Sequence, residues 1–120
     1  MGPVLENRRI LIVEDEAIIA LALEDMLIQI GCAVVGPAFS VTDGQRLAAS
    51  EPVDGAVLDI NVGGETSEAV ARTLDNRGIP FLFSTGYGVS AVPDAFQDRP
   101  VLQKPYTLET LGRALEQMIG

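Results

Sequence analysis

Histidine is absent from this 120-residue chain, cysteine occurs once, and lysine occurs once among eight basic residues. Without histidine, and with Cys32 alone, the chain lacks the donors that zinc prefers. A single cysteine excludes an intrachain disulfide, and the apolar neighbours of Cys32 point to a buried, reduced thiol, as suits a cytoplasmic protein. Positive charge is also scarce. The net charge of -9, the isoelectric point near 4.2 and the dispersal of the seven arginines would repel a phosphate backbone, which argues against direct nucleic-acid binding. Long apolar runs are missing too: ILIV is cut at once by Glu14, Asp15 and Glu16, so neither a secretory leader nor membrane insertion is expected. There is no internal repeat, low-complexity tract or interdomain linker. No GxxxxGK or GxGxxG pattern supports a nucleotide site, and the Gly63-Gly64 pair is not a phosphate-binding loop. What remains, with 48% hydrophobic and 21% charged residues, fits one globular domain over residues 8–120 after a flexible N-terminus at 1–7.

Within that domain, short β-like apolar runs alternate with helix-period segments. Residues 10–13 form a continuous branched run, as in a parallel strand buried on both faces. Ile19, Leu23, Met26, Leu27 and Ile30 then recur at helical spacing up to Gly31, a C-cap residue. A second strand at 33–35 is expected to stop at Gly36 and Pro37, with a helix at 41–50 that Gly44 weakens. Strand three at 56–60 precedes a loop at Gly63-Gly64 and a helix at 67–76, closed by Gly78. Strand four at 81–83 and strand five at 101–103 follow. Leu108, Leu111, Leu115, Met118 and Ile119 line one face of a last helix that Thr107 caps. The stretch 86–99, with Gly88 and Pro93, reads as a short or irregular fourth helix. Five strand–helix pairs in sequence predict a flavodoxin-like, doubly wound (βα)5 three-layer sandwich with a five-stranded parallel sheet.

Ligands of such sheets sit beyond the carboxyl ends of the strands. Those ends carry Glu14 and Asp15, then Asp59, then Ser84 and Thr85, and finally Lys104. Converging carboxylates repel unless a cation intervenes, and magnesium, which takes carboxylates, water and a phosphoryl oxygen, suits this donor set. A carboxylate beside that ion, with a hydroxyl and an ammonium to neutralise equatorial oxygens, can act as a nucleophile toward a phosphoryl group. The product would be an aspartyl phosphate. Taken singly, Glu14 and Asp15 could be favourable charges near a helix N-terminus and Thr85 a strand residue. Asp59 is harder to read that way, because a carboxylate closing AVLDI is costly to bury without a partner or metal.

The residues that carry this chemistry also resemble a known family. ILIVEDE, AVLDIN, FLFSTG and VLQKPY, with Glu14, Asp15, Asp59, Thr85, Lys104 and Pro105, are similar to the receiver domains of bacterial two-component response regulators. The likeness extends over Arg8 to Ile119, and in finer detail reaches an alphaproteobacterial subgroup of stand-alone or kinase-attached receivers. It implies that Asp59 is the phosphoacceptor, that Asp15, Asp59 and the Asn61 carbonyl hold magnesium, and that Glu14 acts through metal-bound water. Thr85 and Lys104 would contact the phosphoryl oxygens, and Pro105 would aim the lysine, through a cis bond as in the family. The implied partners are a histidine kinase, of HWE type, or a phosphotransfer protein. A downstream protein would bind the face of the fourth helix, fifth strand and last helix.

Three departures from the broad receiver pattern are visible. Val101 stands where many receivers carry an aromatic switch residue, which leaves Tyr87 or Tyr106 as substitutes. Gly63 stands where proline is usual, which predicts a more mobile loop. The run Gly86, Tyr87, Gly88 loosens the backbone beside Thr85. Two other functions can be weighed. An aspartate-nucleophile phosphatase places its nucleophile on the first strand with a general-acid aspartate two residues on, whereas here the second residue after Asp59 is Asn61. A receiver-like binding module without phosphorylation is disfavoured by the full acidic set with Thr85 and Lys104.

Overall fold

The computed structural model describes residues 4–86 and 91–120. Along the chain these form β1 (Arg9–Val13), α1 (Ala17–Ile30), β2 (Ala33–Ala38), α2 (Val41–Ser50), β3 (Gly55–Asp59), β4 (Asn61–Val62), β5 (Glu65–Thr66), α3 (Glu68–Asn76), β6 (Phe81–Thr85), β7 (Val101–Gln103) and α4 (Leu108–Ile119). Five strands lie parallel in the order β2-β1-β3-β6-β7, and β4 pairs with β5 as a separate antiparallel hairpin. The order reverses between β1 and β3, which places the switch point beside Glu14, Asp15 and Asp59.

Alternation along the central strands makes the three layers. Ile10, Ile12, Val57 and Leu82 face Leu23, Leu27, Leu111 and Leu115 of α1 and α4. Leu11, Val13, Leu58, Phe81 and Phe83 face Val41, Ala48, Val70 and Leu74 of α2 and α3. Two helix caps fall where the sequence predicts them. Gly31, at φ 109°, donates its N–H to Leu27 and Ile28, and Thr107 Oγ1 accepts from the Thr110 N–H at 3.0 Å. Gly44 does not break α2. A Cβ there would sit 2.9 Å from Val13, so glycine is what allows this helix to lie close on the sheet.

Two strand ends are corrected. Strand two does not stop at Gly36 and Pro37 but runs on to Ala38 through a register shift between Leu11 and Val13, a bulge that an edge strand tolerates. Strand four extends past Phe83 to Thr85. The loop after strand three is a hairpin in which Asn61 pairs with Thr66 and Val62 with Glu65, with Gly63 and Gly64 at its tight turn. Residues 4–7 make contacts with the domain. Leu5 is 0% exposed, Asn7 N–H donates to the Gly31 carbonyl at 2.8 Å, and Arg8 Nε donates to the Val4 carbonyl at 2.9 Å. The fourth strand–helix pair closes, among the described residues, with a 3-10 turn at Asp94–Phe96, where Phe96 packs edge-on against Phe81 at 5.4 Å.

Candidate functional site

β1, β3 and β6 deliver their polar residues to one end of the sheet because each apolar run ends at the same level. Val13 pairs with Leu58, and Asp59 pairs with Ser84. The Lys104 backbone N–H donates to the Thr85 carbonyl at 2.9 Å, which ties the end of β6 to the segment after β7. Around this end lies an open pocket of about 420 Å³ lined by Asp15, Glu16, Asp59, Asn61, Thr85, Gly86 and Lys104, among others. Pro105 follows Lys104 through a cis peptide bond.

Glu14 is the most buried carboxylate of the set, at 3% exposure. Its Oε2 accepts from Lys104 Nζ at 2.8 Å and its Oε1 from the Glu16 N–H at 3.1 Å. Lys104 Nζ also lies 3.4 Å from Asp59 Oδ1, which accepts from the Ile60 N–H at 3.0 Å. Asp15 Oδ2 accepts from the Gly63 N–H at 2.9 Å. Thr85 is buried and lines the pocket. One ammonium thus serves two carboxylates, with a third close by.

The electrostatic consequence falls on Asp59. Burial, then the Glu14 charge, push its carboxyl up to about 6, against the opposing pull of Lys104. Burial lowers the Lys104 ammonium, but its hydrogen bond to Glu14 and the charges of Asp59 and Glu14 outweigh that, and its pKa is raised. A cation is what such a cluster calls for. Ligand-capable oxygens of Glu14, Asp15 and Asp59 lie within 4.8 Å of one another, and an all-oxygen set in a chain without histidine fits magnesium rather than zinc.

No family model matches the chain. The probable chemotaxis protein CheY of Rhizobium etli is 26% identical over 98% of this chain and 96% of its own. The receiver domain of the sensor histidine kinase PA1611 from Pseudomonas aeruginosa PAO1, which holds magnesium in its active-site cleft, shares the fold at a TM-score of 0.81 and 21% identity, over 95% of this chain and 98% of that one. SdrG from Sphingomonas melonis Fr1 is 43% identical over 96% of both chains, with a TM-score of 0.81. The chain belongs to the response-regulator receiver family.

Within this receiver, the expected site residues Glu14, Asp15, Asp59, Asn61, Thr85, Gly86 and Lys104 come to one strand end. Val101 does not. It pairs with Phe83 in the sheet and packs into the core on the α2 and α3 side. Tyr106 sits on the opposite face, packed with the α1 and α4 core, and burial raises its hydroxyl pKa. Tyr87 and Gly88 lie outside the described residues. Two features escape reading by residue type. Ser84 Oγ is buried without a well-formed hydrogen bond, although the Tyr106 hydroxyl interacts with it. Gly63 reaches Asp15 through its backbone, and the signal available in sequence, a glycine in place of proline, points to mobility instead.

Proposed function

We propose that this receiver accepts a phosphoryl group on Asp59 from a histidine kinase or phosphotransfer protein and passes the signal on by a change of binding surface. The observation that carries this reading is the placement of Asp59 between Glu14, Asp15 and the Lys104 ammonium, 3.4 Å away. In the reaction, an Asp59 oxygen bonds to phosphorus as the phosphorus–nitrogen bond of a phosphohistidine breaks, and the electron pair leaves with the imidazole, which then binds a proton. Asp15, Asp59 and the Asn61 carbonyl would hold a magnesium ion, which when bound neutralises charge on the phosphoryl oxygens. Glu14 would bind through metal-bound water. Lys104 would exchange Glu14 for a phosphoryl oxygen, with the Thr85 hydroxyl donating to another.

The kinase must reach an open pocket that α1 borders, and Ile18 at 85% and Leu21 at 56% exposure offer it apolar contacts there. An HWE-type kinase is the partner we favour. The downstream partner would use the face of β7, α4 and the 91–99 segment, where Val101, Leu102, Thr110, Ala114 and Met118 line a groove of about 400 Å³. The work would be done in the cytoplasm. No helix among the described residues is long and apolar enough to cross a membrane.

The test is to add magnesium with acetyl phosphate or beryllofluoride and follow intact mass and amide NMR shifts. The expected result is magnesium-dependent phosphorylation that Asp59→Asn abolishes, with shifts centred on Asp59, Thr85 and Lys104. An unlabelled wild-type protein with unmoved amides at those three positions would overturn the reading.

A further inference from the structure

The hairpin at 61–66 stands directly beside the acidic cluster, and its tip is bonded to it. Gly63 N–H donates to Asp15 Oδ2 at 2.9 Å across 48 residues of sequence. The tip makes that bond in a backbone geometry that favours glycine. Gly63 lies at φ 60° and Gly64 at φ 84°, and nothing stands within 4 Å of a Cβ built at either. The hairpin is also held from behind. Val62 is 1% exposed in the α2 and α3 core, and the Ser67 N–H donates to the Ile60 carbonyl at 2.8 Å. A donor anchored in this way fixes the rotation of the Asp15 carboxylate, and carboxylates that bind metals are commonly oriented by such hydrogen bonds.

We propose that the 61–66 hairpin is a working part of the metal site, with the Gly63 backbone N–H as the positioning donor that holds Asp15 for a divalent cation. The inference rests on the receiver reading, in which Asp15 is a ligand. It gives a physical reason for glycine at a position where the wider family carries proline, since proline has no N–H and cannot adopt positive φ. It also couples the metal to an exposed surface. Asn61, Gly63, Gly64, Glu65 and Thr66 are all exposed, so a cation that tightens Asp15 tightens a hairpin that a partner can touch.

Two substitutions separate the donor from the glycine. Gly63→Pro removes the N–H and is expected to weaken magnesium binding, followed by amide NMR titration, about 10-fold or more. Gly63→Asn keeps the N–H in a residue that tolerates positive φ, and is expected to stay within about threefold of wild type. A folded Gly63→Pro that binds within threefold of wild type, or a Gly63→Asn as weak as Gly63→Pro, overturns the proposal. Hydrogen exchange keeps the question open to decision if Gly63→Pro fails to fold. In the wild-type sequence the Gly63 amide should exchange more slowly with magnesium than without, and in Asp15→Ala about 10-fold faster than in wild type. Equal exchange in all three conditions overturns it as well. A wild-type protein that shows no magnesium response overturns the proposed phosphoacceptor function and this inference together, whereas a wild-type response with an indifferent Gly63→Pro overturns this inference alone.

Discussion

At the amino ends of the strands, Asp54 accepts from the Arg9 N–H at 2.8 Å and lies 3.7 Å from the Arg8 guanidinium, while the Arg9 guanidinium lies 3.7 Å from Glu51. At the carboxyl ends, Glu14 and Asp59 share the Lys104 ammonium, and Asp15 lies close by with no cation of its own among the described residues. The first arrangement pairs each carboxylate with its own cation at half-exposed positions, near the chain end where Leu5 is buried in the core. The second leaves excess negative charge in a partly buried cleft, and lifts the Asp59 carboxyl to about 6. Closing the sheet therefore asks nothing special of the amino end, whereas the carboxyl end keeps an electrostatic deficit that only a cation or a proton relieves.

The largest expected effect belongs to the quiet end. Leu5→Ala empties a fully buried position and should lower unfolding free energy by about 3–4 kcal/mol in urea titrations, while magnesium affinity stays unchanged. A loss of affinity with the loss of stability would mean that the two ends are not independent. Next comes Lys104→Met, which strips Glu14 and Asp59 of their common partner. With Glu14 at 3% and Lys104 at 18% side-chain exposure, metal-free stability at neutral pH should fall by roughly 2–3 kcal/mol, and magnesium should restore part of it. Stability that magnesium leaves unmoved would place the cation elsewhere.

The same contrast governs what can be read from sequence. Apolar periodicity gives the five sheet strands, the four helices and their faces, because burial imposes a period that residues such as Leu23, Leu27, Leu111 and Leu115 must obey. The strand-end residues are legible because topology brings their ends together. Illegible are the contacts that depend on backbone alone. Gly36 and Pro37 look like a stop, yet a bulge carries β2 through them, and Gly63-Gly64 look like slack, yet their positive φ values build a hairpin. The burial of Leu5 is hidden for another reason. Leu5 has no periodic neighbour to announce it, and only the packed core beneath Cys32 and Leu27 shows why it is buried.

Asp59→Asn tests the deficit directly through pH. A folded pKa of about 6 against an ordinary 3.8 means that the folded metal-free protein holds its proton more tightly than the unfolded chain. Stability should therefore fall as pH rises from about 4 to about 6, by on the order of 2 kcal/mol, and then level off. Asn carries no charge to desolvate, so the variant should exceed wild type by that amount at pH 8 in chelator and match it below pH 4. Saturating magnesium should erase the difference at pH 8. Parallel curves for the two proteins across this range would show that Asp59 is not the strained group.

Smallest of all should be a change of cation on the surface. Arg113 pairs with Glu109 at 2.7 Å, one helical turn apart on α4, with side-chain exposures of 66% and 76%. Water and salt screen such a pair, so Arg113→Lys should alter unfolding free energy by less than about 0.5 kcal/mol and by still less in high salt. The guanidinium has no planar partner to match there, and an ammonium serves as well. At the carboxyl end the identity of the cation matters, because Lys104 Nζ must fit between Glu14 and Asp59 at 2.8 and 3.4 Å, where a compact charge on a flexible stem reaches and a broad planar one does not. A stability change of 2 kcal/mol or more in Arg113→Lys would remove the distinction between a surface that tolerates either cation and a site that admits one.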